Sequence, residues 1–276
     1  SVIAVVMMQG VPTRPQKMVT HNWGNLFRDL VAAICADAVE EEEYCRIANL
    51  LDRDVGVLES WLASLGKLEC TYWVCAFSVN QHCTICGGNP HNATDSVTGD
   101  LHPLCTCGLP KVWNTSPPTT AAGESIGCEV NKFDDMMKHL SSMNASFGQV
   151  VTVDASFEIF GRAWCVAELA AANSMGMRQH LKFRSADSLA LHEGRLRSLR
   201  IQDMQASRPE DKEAILSRIP DPAVFDAELQ SLLFRDLFPA WREIDAMEQM
   251  QRLAKVSSWQ KIADGRGSTG LWHNWA

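Results

Sequence analysis

The sequence predicts an α/β protein: a doubly wound parallel sheet with helices on both faces. Two observations carry that expectation. Apolar, β-rich runs at 17–20, 71–79 and 149–154 are too continuously hydrophobic to be half-exposed strands, so they read as strands covered on both sides. Between them lie segments whose apolar residues recur at helical spacing, as parallel strands require helical crossovers. No internal repeat is present.

In chain order, Val2 to Met8 is a short apolar strand or arm. Lys17-Met18-Val19-Thr20 is the first sheet strand, closed by His21-Asn22-Trp23-Gly24. Leu26, Phe27, Leu30, Val31 and Ile34 then mark a helix over 25–39. The acidic run Glu40 to Glu43 is expected as a solvated helix start, followed by one or two helices that stop at Gly66. The run 71–79 is too apolar for a sheet edge, and 131–140 resumes a helix before the strand at Val150. His180 to Phe183 and Leu199 to Asp203 are further short strands. Arg208-Pro209-Glu210-Asp211 opens a helix with Ser207 as its N-cap, and Pro220-Asp221-Pro222 ends it. The organisation expected is an α/β domain over 1–220, with an insert rich in Gly, Pro and Cys at 80–128. A C-terminal helix and a tail bearing Trp259, Trp272, His273 and Trp275 complete it over 221–276.

The net charge of −8 argues against nucleic acid or an anionic membrane as principal partner. No apolar run reaches the ~20 residues that a membrane-spanning helix needs. Cys35, Cys45, Cys70, Cys75 and Cys165 fall in apolar or helical patterns, where free thiols are common, whereas the other five cysteines share the polar insert. Such clustering is unlike a secreted disulfide scaffold, and the triplets Asn92-Ala-Thr, Asn114-Thr-Ser and Asn144-Ala-Ser weigh little beside it. The expectation is a reducing, intracellular setting.

The segment that carries chemistry is Arg162-Ala163-Trp164-Cys165-Val166-Ala167-Glu168-Leu169, directly after the strand that ends at Asp154. Trp164 and Glu168 are four apart and share a helix face. Open α/β sheets bind ligands at the carboxyl ends of their strands. His21, Asn22 and Trp23 at the end of the first strand would therefore face Asp154 and Glu168, with Asn80, Gln81 and His82 nearby. A carboxylate there can bind ribose hydroxyls and stabilise a sugar cation, and Trp23 or Trp164 can stack an aromatic base. The competing reading is structural: Trp164 and Cys165 as core, and Glu168 paired with an arginine. No glycine-rich phosphate fingerprint accompanies the segment, and Cys165 within a helix has no placed histidine to activate it.

These residues resemble the Toll-interleukin receptor (TIR) domain over roughly residues 15–220. The first strand with His21-Asn22-Trp23-Gly24 resembles the family's first βα unit. The Trp164-Cys165-x-x-Glu168-Leu169 motif resembles its third. The resemblance implies a flavodoxin-like sheet of order 2-1-3-4-5. It also implies one of two functions: cleavage of NAD at the nicotinamide–ribose bond with Glu168 catalytic, or non-enzymatic scaffolding. His21, Asn22, Trp23, Asp154 and Trp164 would then form the nucleotide-binding set. The chain departs from the family in its extra helices between 40 and 66, and in the cysteine insert that replaces the loop after the second strand.

Within that insert, Cys83-x-x-Cys86 followed by Cys105-x-Cys107 offers four thiolates for a structural zinc, with His82, His102 or Cys128 as substitutes. A long loop with few apolar groups needs such a clamp to fold. One disulfide, or free thiols, remains the alternative. Two functions follow. One is a TIR-like NAD glycohydrolase. The other is a scaffold subunit, joining protein partners or copies of itself through the clamped insert and the Trp-rich tail.

Overall fold

The computed structural model describes residues 3–110 and 133–237, apart from Ile85, Gly88, Pro90, His91, Ala93, Ser96, Ala186, Ser207, Arg208 and Arg218. A few side chains within those ranges, Cys83 among them, also lie outside the description. The expectations for Cys128 and the tail tryptophans fall beyond it, as does Ser207 as an N-cap. The chain forms one compact unit over Ser1–Gln230 and a second over Ser231–Ala276; of the second, Leu232–Leu237 is a short π-helical stretch.

The first residues are helical rather than extended. The turn α1 (Ile3–Met7) has no buried residue. It stops where the Gly10 N–H returns to Val5 O at φ 74°, a left-handed conformation that glycine takes without penalty.

Strand β1 (Lys17–His21) leads into α2 (Phe27–Ala38), then α3 (Cys45–Arg53) and α4 (Val55–Ser64). Small Ala32, Ala33 and Ala36 on α2 let Tyr44, Ile47, Ala48 and Leu58 close in to form one cluster. Asp54 caps α4 by accepting from Val57 N, and Gly66 at φ 65° ends that helix as expected. The acidic run does not start a helix. Glu40 turns the chain at φ 63°, and Glu43 bridges Phe183 in parallel, so Glu41 to Glu43 lie half-buried along the sheet.

Next come β2 (Tyr72–Val74), α5 (Cys75–Ser78), α6 (Gln81–Thr84), α7 (Phe133–Met143) and β3 (Gly148–Thr152). A 3-10 turn (Glu158–Gly161) precedes α8 (Ala163–Ser174), β4 (Arg178–Lys182) and α9 (Asp187–Arg197). The helices α10 (Pro209–Ser217) and α11 (Pro222–Ser231) follow. The expected strand at 199–203 is instead a 3-10 turn, Ile201–Asp203. Its Ile201 N–H is taken by the Asp226 carboxylate rather than by a sheet neighbour.

All four strands are parallel, in the order β2-β1-β3-β4. This is an α/β sheet consistent with the flavodoxin-like arrangement. Strand alternation sorts the core. Val19, Val74 and Val150 pack with Leu30 of α2, whereas Met18 packs with Met137 of α7 and Ala172 of α8. Gly148 lets β3 approach β4, since a Cβ there would meet Arg178 O at 3.1 Å.

Two expectations about the second strand need correction. It ends at Val74, not Val79, and among the described residues it lies at the end of the sheet. With a partner on one side only, the chain satisfies its backbone by turning helical, and Val79 N donates to Cys75 O. Its apolar character reflects cover on both faces: Trp73 lies against the Met18 cluster, and Tyr72 and Phe77 against the Val19 cluster.

Among the described residues, no helix is long and apolar enough to cross a membrane.

Candidate functional site

Among the polar residues of the sheet, β1, β3 and β4 carry Thr20, Gln149 and Gln179. A buried polar group in a strand must find a hydrogen-bonding partner. These three find each other. Gln179 Nε2 donates to Gln149 Oε1 (2.7 Å) and to Leu169 O (3.0 Å). Gln149 Nε2 donates to Thr20 Oγ1 (2.8 Å), and Thr20 Oγ1 donates to Glu168 Oε2 (2.5 Å). Every donor in this relay points towards Glu168, which terminates it from the second turn of α8.

Two effects compete at that carboxyl. Burial disfavours the ion, while the Thr20 hydroxyl favours it; burial wins, and the Glu168 carboxyl is pushed up to about 7. Its partner is Thr20, and among the described residues it makes no ion pair with an arginine.

Two thiols interact with its charge. Cys165 is buried, and its S–H reaches His21 O at 3.5 Å; burial first, then the Glu168 charge, raises it well above the ordinary thiol range. Cys75 is pushed up to about 12 by burial, with Glu168 adding and the Trp23 indole N–H opposing. Both thiols stay protonated at neutral pH, so neither is an activated nucleophile.

The other sequence-predicted residues are distributed unequally around this centre. Trp23 is 53% exposed, so its ring is available for stacking. Asn22 accepts from Gly24 N (3.1 Å) and shapes the turn that carries Trp23. His21 follows Thr20 in β1 and projects to the opposite sheet face. Burial pulls it down to about 4, so it is neutral at physiological pH. Asp154 is engaged by backbone: its carboxylate accepts from Ser156 N (3.1 Å), Glu158 N (3.0 Å) and Ile159 N (2.9 Å). That cap holds buried Phe157 at φ 57°, a conformation costly for an aromatic residue, stacked between Phe160 and His192. Trp164 is half-buried against the cluster of Met18, Met137 and Phe147.

Thr20, Gln149 and Gln179 were not among the predicted site residues. The available signal was a polar residue in the apolar runs of β1 and β3; Gln179 sits in the polar run Arg178–Lys182 and gave none. Cys75 gave no such signal, because its place follows from the helical turn after β2.

A second constellation forms in the insert. His82, Cys86, Cys105 and Cys107 bring four potential ligand atoms within 4.8 Å of one another and could hold a metal ion such as zinc. The Sγ atoms of Cys86 and Cys107 are 3.5 Å apart, and Cys105 Sγ lies 3.4 Å from His82 Nδ1. A tetrahedral zinc with bonds of ~2.3 Å to sulfur and ~2.0 Å to nitrogen spaces its ligands by about 3.6–3.8 Å, close to these separations. A disulfide needs ~2.05 Å, so this is a ligand-like and not a covalent arrangement. The described cysteines are free thiols. Cys107 is drawn down to about 6, first by the Leu109 backbone N–H and then by Cys86, which favours the thiolate that metals require. Of the four predicted ligands, three are in this group. His82 joins them, the Cys83 side chain lies outside the description, and His102 is not part of the set.

Comparison of the chain with protein-family models, with curated proteins and with solved structures found no match.

Proposed function

We propose that the protein is a TIR-like, flavodoxin-type glycohydrolase that cleaves NAD at the bond between nicotinamide and ribose. The observation that carries this reading is the Glu168 carboxyl at the end of the relay, held by Thr20 of β1, with the exposed Trp23 ring three residues after Thr20. Trp23 would stack the nicotinamide. As the C1′–N bond breaks, its electron pair leaves with nicotinamide and positive charge builds on the ribose. The Glu168 carboxylate would stabilise that charge. Water then adds to C1′ and loses a proton, and a carboxyl titrating near 7 is suited to accept it at neutral pH. Asn22 holds the Trp23 turn, Asp154 braces the loop before α8, and His21 and Trp164 stiffen the frame rather than touch substrate. Binding tests the reading directly. Trp23→Ala should weaken NAD binding by at least about tenfold, the worth of one stacked ring, with the fold intact by circular dichroism. Unchanged affinity would remove the stacking role.

The His82, Cys86, Cys105, Cys107 set is read as a structural zinc centre that folds part of the 80–128 insert. A thiolate-rich centre suits a reducing, intracellular compartment.

A second reading is a scaffold that joins protein partners or copies of itself. Phe27, 65% exposed and edge-on to Phe77 at 5.9 Å, favours it by placing a second aromatic group at the surface. In that case Glu168 and its relay serve only to fix α8 on the sheet.

A further inference from the structure

The thiol–imidazole cluster and the Trp23–Glu168 site are joined by one short stretch of chain. Residues 75–84 contain α5 and α6, each of four residues, far below the length at which a helix holds itself together. Their geometry is therefore imposed from outside. At one end Phe77 of α5 lies edge-on to Phe27 at 5.9 Å. The Cys75 carbonyl accepts from Val79 N (3.0 Å) and from Gln81 Nε2 (3.3 Å). At the other end Gln81 O accepts from Cys86 N (2.8 Å), His82 O is met by Cys86 Sγ (3.3 Å), and Gly87 O accepts from Cys105 N (3.2 Å). The residue that reaches back to Cys75, Gln81, is thus the immediate neighbour of a ligand, His82, and is hydrogen-bonded to a second, Cys86.

We propose that zinc held by His82, Cys86, Cys105 and Cys107 fixes α6, and through Gln81 and Cys75 holds α5 and its Phe77–Phe27 contact, so that metal occupancy controls the order of the 20–27 segment that carries Trp23. The inference rests on the zinc reading and not on NAD cleavage. His82 and Cys86 flank one turn of chain, while Cys105 and Cys107 come from a segment about twenty residues away. Ligation therefore closes a loop that α5 and α6 cannot close themselves. Without the ion, the Gln81 contact to the Cys75 carbonyl is no longer held from the ligand side, and only Val79 N keeps that carbonyl within α5. Strands β1, β3 and β4 carry none of the four ligands, so the effect is local.

Hydrogen–deuterium exchange on the full chain, without nucleotide, tests this independently of any activity. The zinc-loaded protein should hold about one ion per chain. Removing it with a chelator should accelerate exchange at least tenfold in 75–84, with a smaller rise in 20–27, and leave 148–152 unchanged; added zinc should restore it. Gln81→Ala should still bind zinc, but exchange in 20–27 should no longer respond to it. Three results would each overturn the proposal: no zinc retained by the reduced protein; zinc lost with no change in 75–84; or protection lost equally across 148–152. Because no NAD is present, failure here leaves the glycohydrolase reading untouched, and failure of that reading leaves this one standing.

Discussion

Thr20 Oγ1 lies 2.5 Å from Glu168 Oε2, tying the central strand β1 to the helix that follows β3. The hydroxyl is fed by Gln149 and Gln179, so one hydrogen-bonded line crosses three strands and ends on the half-buried carboxyl of Glu168 on α8. The same line fixes the helix and conditions the acid.

A first consequence is a pH-dependent stability. The folded-state pKa of Glu168 is raised from 4.5 to about 7. Below pH 4.5 the group is protonated in both states and costs nothing. Between the two values the unfolded chain ionises first, so stability falls as pH rises; above about 7 the full penalty, on the order of 3 kcal/mol, is present. Glu168→Gln should therefore stabilise the protein at pH 8 and lose that advantage towards pH 4.5. Urea unfolding of both proteins across this range checks it, and a difference independent of pH would contradict it.

Asp37 should be the most sensitive charged position of the α2 face. Its buried carboxylate binds Lys17 Nζ (2.6 Å) and the Tyr72 hydroxyl (2.9 Å), with His180 Nδ1 at 3.6 Å and buried Lys182 Nζ at 3.9 Å. The two longer contacts are electrostatic and exceed hydrogen-bonding range for good geometry. Asp37→Ala leaves Lys182 buried with less compensation, and should cost about 3–5 kcal/mol by chemical denaturation. A loss below 1 kcal/mol would show that the cluster is freely solvated.

Asp154 is expected to act through the backbone. Asp154→Ala orphans three N–H groups and removes the brace on the left-handed Phe157, for a cost of about 3 kcal/mol. Exchange of the 156–160 amides should rise well before that of 148–152. Asp154→Asn, which keeps an acceptor, should recover much of the loss. If Asn is as damaging as Ala, the charge itself is needed and a direct role for Asp154 is restored.

The sheet was legible because β1 and β3 are largely buried and keep short Val-bearing apolar runs, and because helical spacing separates them. What failed to read were the places where local and tertiary demands part. Cys75 to Ser78 has strand-like residues, yet it turns helical at the end of the sheet. Glu40 to Glu43 has helix-like charge, yet it lies beside Phe183. The helix α9 carries no clean apolar stripe in its sequence and was not anticipated. At the site, Glu168 could be singled out from its motif, but its relay could not, since Gln149 and Gln179 meet only once three strands are in register. The metal set was visible as cysteine spacing, whereas the use of His82 depends on the turn of α6.

Nicotinamide release from NAD, by wild type and by Glu168→Gln at high protein concentration and neutral pH, tests the central claim most directly. The account predicts measurable turnover by the wild type and at least a hundredfold loss in Glu168→Gln, with the parallel sheet intact by circular dichroism. Equal rates in the two proteins, or no release by zinc-loaded wild type, would contradict it.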